Sequence, residues 1–266
     1  MPAFRSFRSA ATGIAAALAA ALLPSAALAA PGTVHLIHAD PKGYAFEEKV
    51  DFPAGEYFAL HCARTCALKK NQVRIEARQI ATTEGPAPGH VLRSAPAAPS
   101  LFLVRGIPGL KEGAVTTWYH KAGFLKGEPG RERAWTGNQQ RRFDIGGSPL
   151  TVTGVHAHKR EGPCATDEAC QGSMRVDWKI RFGDIERTIA VVETEAPELG
   201  TPLGLDNFVV WIGDLDGDGK PDLVVRPQNR EDYLELRLFL STELASGKAW
   251  RPAARFYFWD PTRYGC

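Results

Sequence analysis

Between Asp214 and Asp222, in "GDLDGDGKPD", aspartates stand at positions 1, 3, 5 and 9 (Asp214, Asp216, Asp218 and Asp222), with Gly219 at position 6. Short carboxylates on alternate residues of a tight turn converge, and Lys220 at position 7 can add its backbone carbonyl. That donor set is all oxygen, which suits a hard cation. Calcium takes about six to eight oxygens at roughly 2.3–2.6 Å, whereas magnesium insists on a small octahedron and keeps its waters. Two carboxylates about 4 Å apart repel by roughly 4 kcal/mol at an effective dielectric near 20. Several such pairs in one loop call for a cation among them. The ligands expected for Ca2+ are therefore Asp214, Asp216, Asp218, Lys220 through its carbonyl, and Asp222.

Gly219 permits the sharp bend, and Pro221 pushes Lys220 out of the helical region, so the loop should lead into a strand. An EF-hand would have glutamate at position 12, where this chain has Val225, and helices on both sides. "GDLDGDGKPDLVV" instead resembles the calcium segment of FG-GAP repeats, the strand–loop–strand units of integrin α-chain propellers and many secreted bacterial proteins. The resemblance covers residues 213–225 and implies the same ligand set. It does not imply a full β-propeller, which needs several copies of a unit that occurs once here. Three aspartates, one carbonyl and a bidentate Asp222 would supply six oxygens, so the cation's expected task is to pin a turn. A catalytic metal keeps a position open.

Other chemistry-bearing groups are sparser. His156 and His158 share a strand face at a spacing that can hold a transition metal. His35 and His38, followed by Asp40, fall on opposite sides of a strand. Glu193 and Glu195 would stand about 7 Å apart, within the range of a glycosidase carboxylate pair. Trp178 and Trp211 sit in apolar patterns and are expected in the core, leaving Trp135 as the candidate for stacking on a sugar. The chain has no nucleophile elbow, phosphate-cradling loop or serine-centred triad signature, and "GGSPL" around Ser148 reads as a turn.

The elements that must position these groups are strands. "MRVDWKIRF" alternates, with Met174, Val176, Trp178, Ile180 and Phe182 facing one way. Gly183-Asp184 then predicts a two-residue hairpin into "IERTIAVV". "NQVRIEARQ" alternates likewise, "YLELRLFL" sets Leu234, Leu236, Leu238 and Leu240 on one face, and Gly154 in "LTVTGVHAH" predicts a bulge. "NFVVWIG" and "DLVV" flank the aspartates, "RFYFW" closes the chain, and only "STELAS" suggests a helical turn. The stretches 82–100, proline-rich, and 121–149, rich in glycine and arginine, read as long loops. The fold class expected is all-β with antiparallel sheets, sandwich- or barrel-like, as two β subdomains: residues 30–130, and residues 131–266 with the calcium loop 214–222.

Residues 1–29 read as a cleaved signal peptide. Arg5 and Arg8 precede the apolar stretch Ala11–Leu23, and Ala27-Leu28-Ala29 supplies small residues for cleavage. The destination expected is periplasmic or secreted, in a bacterium. Without Arg5 and Arg8 the chain's 32 basic residues fall level with its 30 acidic ones. Neutrality argues against nucleic acid as a partner, and no later segment is apolar enough to be an integral membrane helix. Five cysteines fit an oxidising compartment. Cys164 and Cys170 lie in one loop and are expected to pair. Cys62 and Cys66 would be roughly 13 Å apart in a strand, so they can pair only if the chain turns. Cys266 is left open. These features describe an exported calcium-binding β-protein acting as a binding or structural module for a protein or carbohydrate ligand. The alternative is an exported hydrolase of polysaccharide or another envelope polymer.

Overall fold

Period-2 alternation buries one face of a strand, and strands so patterned must stack as sheets. The computed structural model describes residues 33–38, 40, 43–47, 52–121, 138–159, 173–194, 205–227, 233–244, 250–259 and 262. The strands are β1 (His35–Ile37), β2 (Tyr44–Phe46), β3 (Gly55–Cys62), β4 (Cys66–Thr82), β5 (Gly85–Ala95), β6 (Leu103–Arg105), β7 (Gly113–Val115) and β8 (Thr117–His120). They continue with β9 (Gln139–Ile145), β10 (Ser148–Lys159), β11 (Ser173–Phe182) and β12 (Ile185–Thr194). After a helical turn α1 (Leu205–Phe208) come β13 (Val209–Gly213), β14 (Asp222–Val225), β15 (Tyr233–Phe239), a second turn α2 (Ser241–Leu244) and β16 (Ala254–Trp259).

Every described strand pairing is antiparallel, as expected. One sheet runs β1-β6-β3-β4-β5-β2 with β7 on β4, a second β12-β11-β10-β9, and a third β16-β15-β14-β13-β8. The third is the middle layer. Val210, Trp211, Val224, Leu236, Leu238 and Phe256 pack with Leu36, Leu60 and Phe102 of the first sheet's core. Val209, Ile212, Leu223, Val225 and Phe239 pack with Val152, Trp178 and Ile180 of the second. A strand buried on both faces reads as an unbroken apolar run, which is why "VVWIG" and "DLVV" do not alternate.

The boundary expected near residue 130 falls outside the described residues. On either side of it, β8 pairs with β13 in one sheet, and the described residues from 33 onward cluster as one unit. Among the described residues no helix is long and apolar enough to cross a membrane.

Four expectations need correction. The stretch 82–100 is largely strand: β5 pairs with β4 from Thr82↔Gly85 to Gln72↔Ala95. Its prolines mislead because Pro86 and Pro88 alternate with the residues that bond β4, so they forfeit no ladder hydrogen bond. The end of 121–149 is also strand, β9, joined to β10 through Gly146 and Gly147, with Ser148 opening β10. The bulge is not at Gly154, which pairs in register with Trp178; the shift lies one strand over, between β11 and β12 at Trp178/Lys179. A glycine beside an indole leaves it room, and Trp178 stacks on Phe208 at 3.8 Å. Lastly, "NFVVWIG" begins as helix: Phe208 belongs to α1.

The condition on the cysteines is met. The chain turns through Ala63–Thr65, bringing the Cα atoms of Cys62 and Cys66 to 4.1 Å in a disulfide. Cys164, Cys170 and Cys266 lie outside the described residues, as do the signal segment and Trp135.

Candidate metal centre

The aspartate loop connects β13 to β14, two central strands that the core holds in fixed register with Gly213 opposite Asp222. The Asp214 amide donates to the carbonyl of Thr116 at 2.9 Å, which ties the loop's entrance to the segment before β8. Gly217 and Gly219 both take φ of +78° with nothing near a would-be Cβ, so they are needed for backbone conformation and not for space.

The carboxylates organise the rest. Asp214 accepts the amides of Gly217 at 2.8 Å and Asp218 at 3.1 Å on Oδ1, and that of Gly219 at 2.9 Å on Oδ2. Asp216 accepts the Asp218 amide at 3.2 Å, and Asp218 accepts the Lys220 amide at 2.8 Å. The side chains of Asp214, Asp216 and Asp218 each present an oxygen within 4.8 Å of the others; among the described residues no other His, Cys, Asp or Glu group gathers this way. Oxygens on opposite sides of a calcium ion stand about twice the 2.3–2.6 Å bond apart. The spacing of these three therefore fits such a cation.

Asp222 is placed differently. It is fully buried, and its two oxygens accept the Leu215 amide at 2.7 Å and the Ser241 amide at 2.8 Å. Burial pushes its carboxyl up to about 7 against the pull of these amides, with the charges of Asp216 and Asp218 adding to the rise. A carboxylate offers about four lone-pair sites, so two amide bonds leave capacity for a cation. Asp216 is raised as well, first by burial and then by its aspartate neighbours. Lys220 is exposed, its ammonium 3.8 Å from Asp218. A surface pair of that kind contributes about 0–1 kcal/mol and offsets one charge of four.

Ser241 also belongs to the site, though no sequence motif marks it. Its hydroxyl donates to Asp218 Oδ2 at 3.0 Å while its amide holds Asp222, so the end of β15 is tethered to the loop. No spacing rule connects residues 19 and 23 apart; the contact follows from β14 pairing with β15.

Among the described residues, the remaining candidates gather no second cluster of metal-ligating groups. His38 lies against the hydroxyl of Tyr44, its pKa lowered to about 3 by burial and then by the charge of Arg226. Glu193 is exposed and ion-paired with Arg175 at 3.1 Å, and Glu195 lies outside the described residues. The backbone amide of His156 is bonded to Asn138, and the side chain of His158 lies outside the described ones. Trp178 and Trp211 are fully buried, as expected. Comparison with family models, curated proteins and solved structures finds no match to this chain, so the reading of the loop rests on its own geometry.

Proposed function

We propose that this chain is an exported calcium-binding β-protein, a binding or structural module in which Ca2+ pins the FG-GAP-like loop between β13 and β14. The observation that supports it is the convergence of Asp214, Asp216 and Asp218 within 4.8 Å. Asp222 and the Lys220 carbonyl would complete the shell. A cation there would lock the loop against Ser241 and so join three segments of the middle sheet, which is a structural task.

The test is thermal unfolding of the chain in excess EGTA and in about 10 mM calcium. Extracellular sites bind at roughly 0.1–1 mM, so linkage gives a stabilisation of about 1.4–2.7 kcal/mol. For a chain of this size that is a rise in Tm of roughly 3–11 °C. An unchanged Tm, with no calcium in the purified protein, overturns the proposal.

A further inference from the structure

The outward face of the four-stranded sheet carries a second feature, unrelated to the aspartate loop. Thr151 of β10 is the register partner of both Arg142 on β9 and Arg181 on β11. Residues directly opposed in a sheet share a face, so two guanidinium groups flank one hydroxyl. Together with Pro149, Gly183 and Asp184 they line a groove of about 440 Å³. That lies within the roughly 300–1,000 Å³ range of small-molecule sites.

The two arginines are exposed to solvent. Neither forms an ion pair or side-chain hydrogen bond with a described residue, and neither does the Thr151 hydroxyl. Arg175, on the same face of β11, shows the alternative: it is held by Asp177 at 2.8 Å and Glu193 at 3.1 Å. Acids do stand near the groove. Asp184 lines it, Glu186 opposes Arg181 in register, and Asp144 opposes Pro149 while accepting the Gly147 amide at 3.0 Å. None of them is within ion-pair distance of either arginine.

We propose that this groove binds a phosphate monoester. Such a group carries nearly two negative charges and three strong acceptor oxygens at neutral pH. Two guanidinium forks and one hydroxyl match that count, whereas a carboxylate has one charge and two oxygens. Asp184 on the wall disfavours a polyanion and can accept a hydroxyl from the rest of the ligand. The class is therefore a small molecule with a single phosphate and otherwise neutral, hydroxylated groups.

Calorimetric titration of the full chain in EGTA, at constant ionic strength, tests this with three probes: glucose 6-phosphate, inorganic phosphate and sulfate. The ester is expected to bind more tightly than inorganic phosphate, and sulfate most weakly. Arg142→Gln and Arg181→Gln should each weaken the ester about tenfold or more, the scale of a lost charge-assisted hydrogen bond, with Tm unchanged. Lys179→Gln, on the same face beyond the groove, should leave affinity alone. Equal binding of sulfate and the ester, or a loss in Lys179→Gln as large as in the arginine variants, overturns the site in favour of diffuse surface charge. Inorganic phosphate binding as tightly as the ester overturns the assignment to an ester.

Discussion

Between β11 and β12 the chain reverses in two residues, Gly183 and Asp184, with Phe182 paired to Ile185. Between β13 and β14, also antiparallel neighbours, it takes residues 214–221 to do so. The short turn is complete in its backbone: Gly183 takes φ of +57° at the first central position, which suits the twist of the flanking strands. The long one is organised by side chains, since each of its three aspartates, and Asp222 at the start of β14, accepts at least one backbone amide. Joining the strands does not require that length. The extra residues serve to hold carboxylates together, and the mutual repulsion of those carboxylates is the cost that a cation would offset.

The comparison breaks most sharply at Asp222. Asp222→Ala leaves the buried amides of Leu215 and Ser241 without acceptors, and each such loss costs about 1–3 kcal/mol. We expect a destabilisation of about 2–5 kcal/mol by denaturant unfolding, in EGTA as well as in calcium. A smaller loss confined to calcium would make Asp222 purely a ligand. Asp216→Ala separates the roles from the other side. Asp216 accepts a single long amide bond at 3.2 Å, so its removal should change little in EGTA and abolish the calcium-linked gain of about 1.4–2.7 kcal/mol. If Asp216→Ala keeps the full calcium response, the three-aspartate cluster is not the seat of the cation.

Both connections were legible in the sequence, for different reasons. The hairpin announces itself because Val176, Trp178 and Ile180 alternate and glycine stands where a positive φ is needed. The loop announces itself through the 1-3-5-9 spacing. What the residues could not reveal is what depends on pairing. β5 was concealed by prolines that sit at positions indifferent to the ladder. The leucine face of β15 packs on the first core as its alternation implies, through Leu234, Leu236 and Leu238, but the burial of Phe239 on the opposite face against the second core follows only from the stacking of the sheets. Ser241, Thr116 and the row Arg142–Thr151–Arg181 are brought to their places by register. Such contacts, between residues up to about a hundred positions apart, leave no local periodicity to find.

Smaller effects sharpen the same contrast. Gly219→Ala and Gly183→Ala each force a side chain into the left-handed region with no steric contact to blame, so each should cost about 1–2 kcal/mol. Their responses to calcium should differ: Gly183→Ala keeps the full shift in Tm, while Gly219→Ala loses part of it, because the bend at Gly219 sets the approach of Asp218. The smallest effect is expected at the one aspartate of the short turn. Asp184 is exposed and accepts no amide from its own hairpin, so Asp184→Ala should change stability by no more than about 0.5 kcal/mol, with or without calcium. If its removal destabilised the hairpin as Asp222→Ala destabilises the loop, aspartates would be stabilising turns of this protein generally. The density of carboxylates at 214–222 would then be an extreme of a common device, one that calls for no cation.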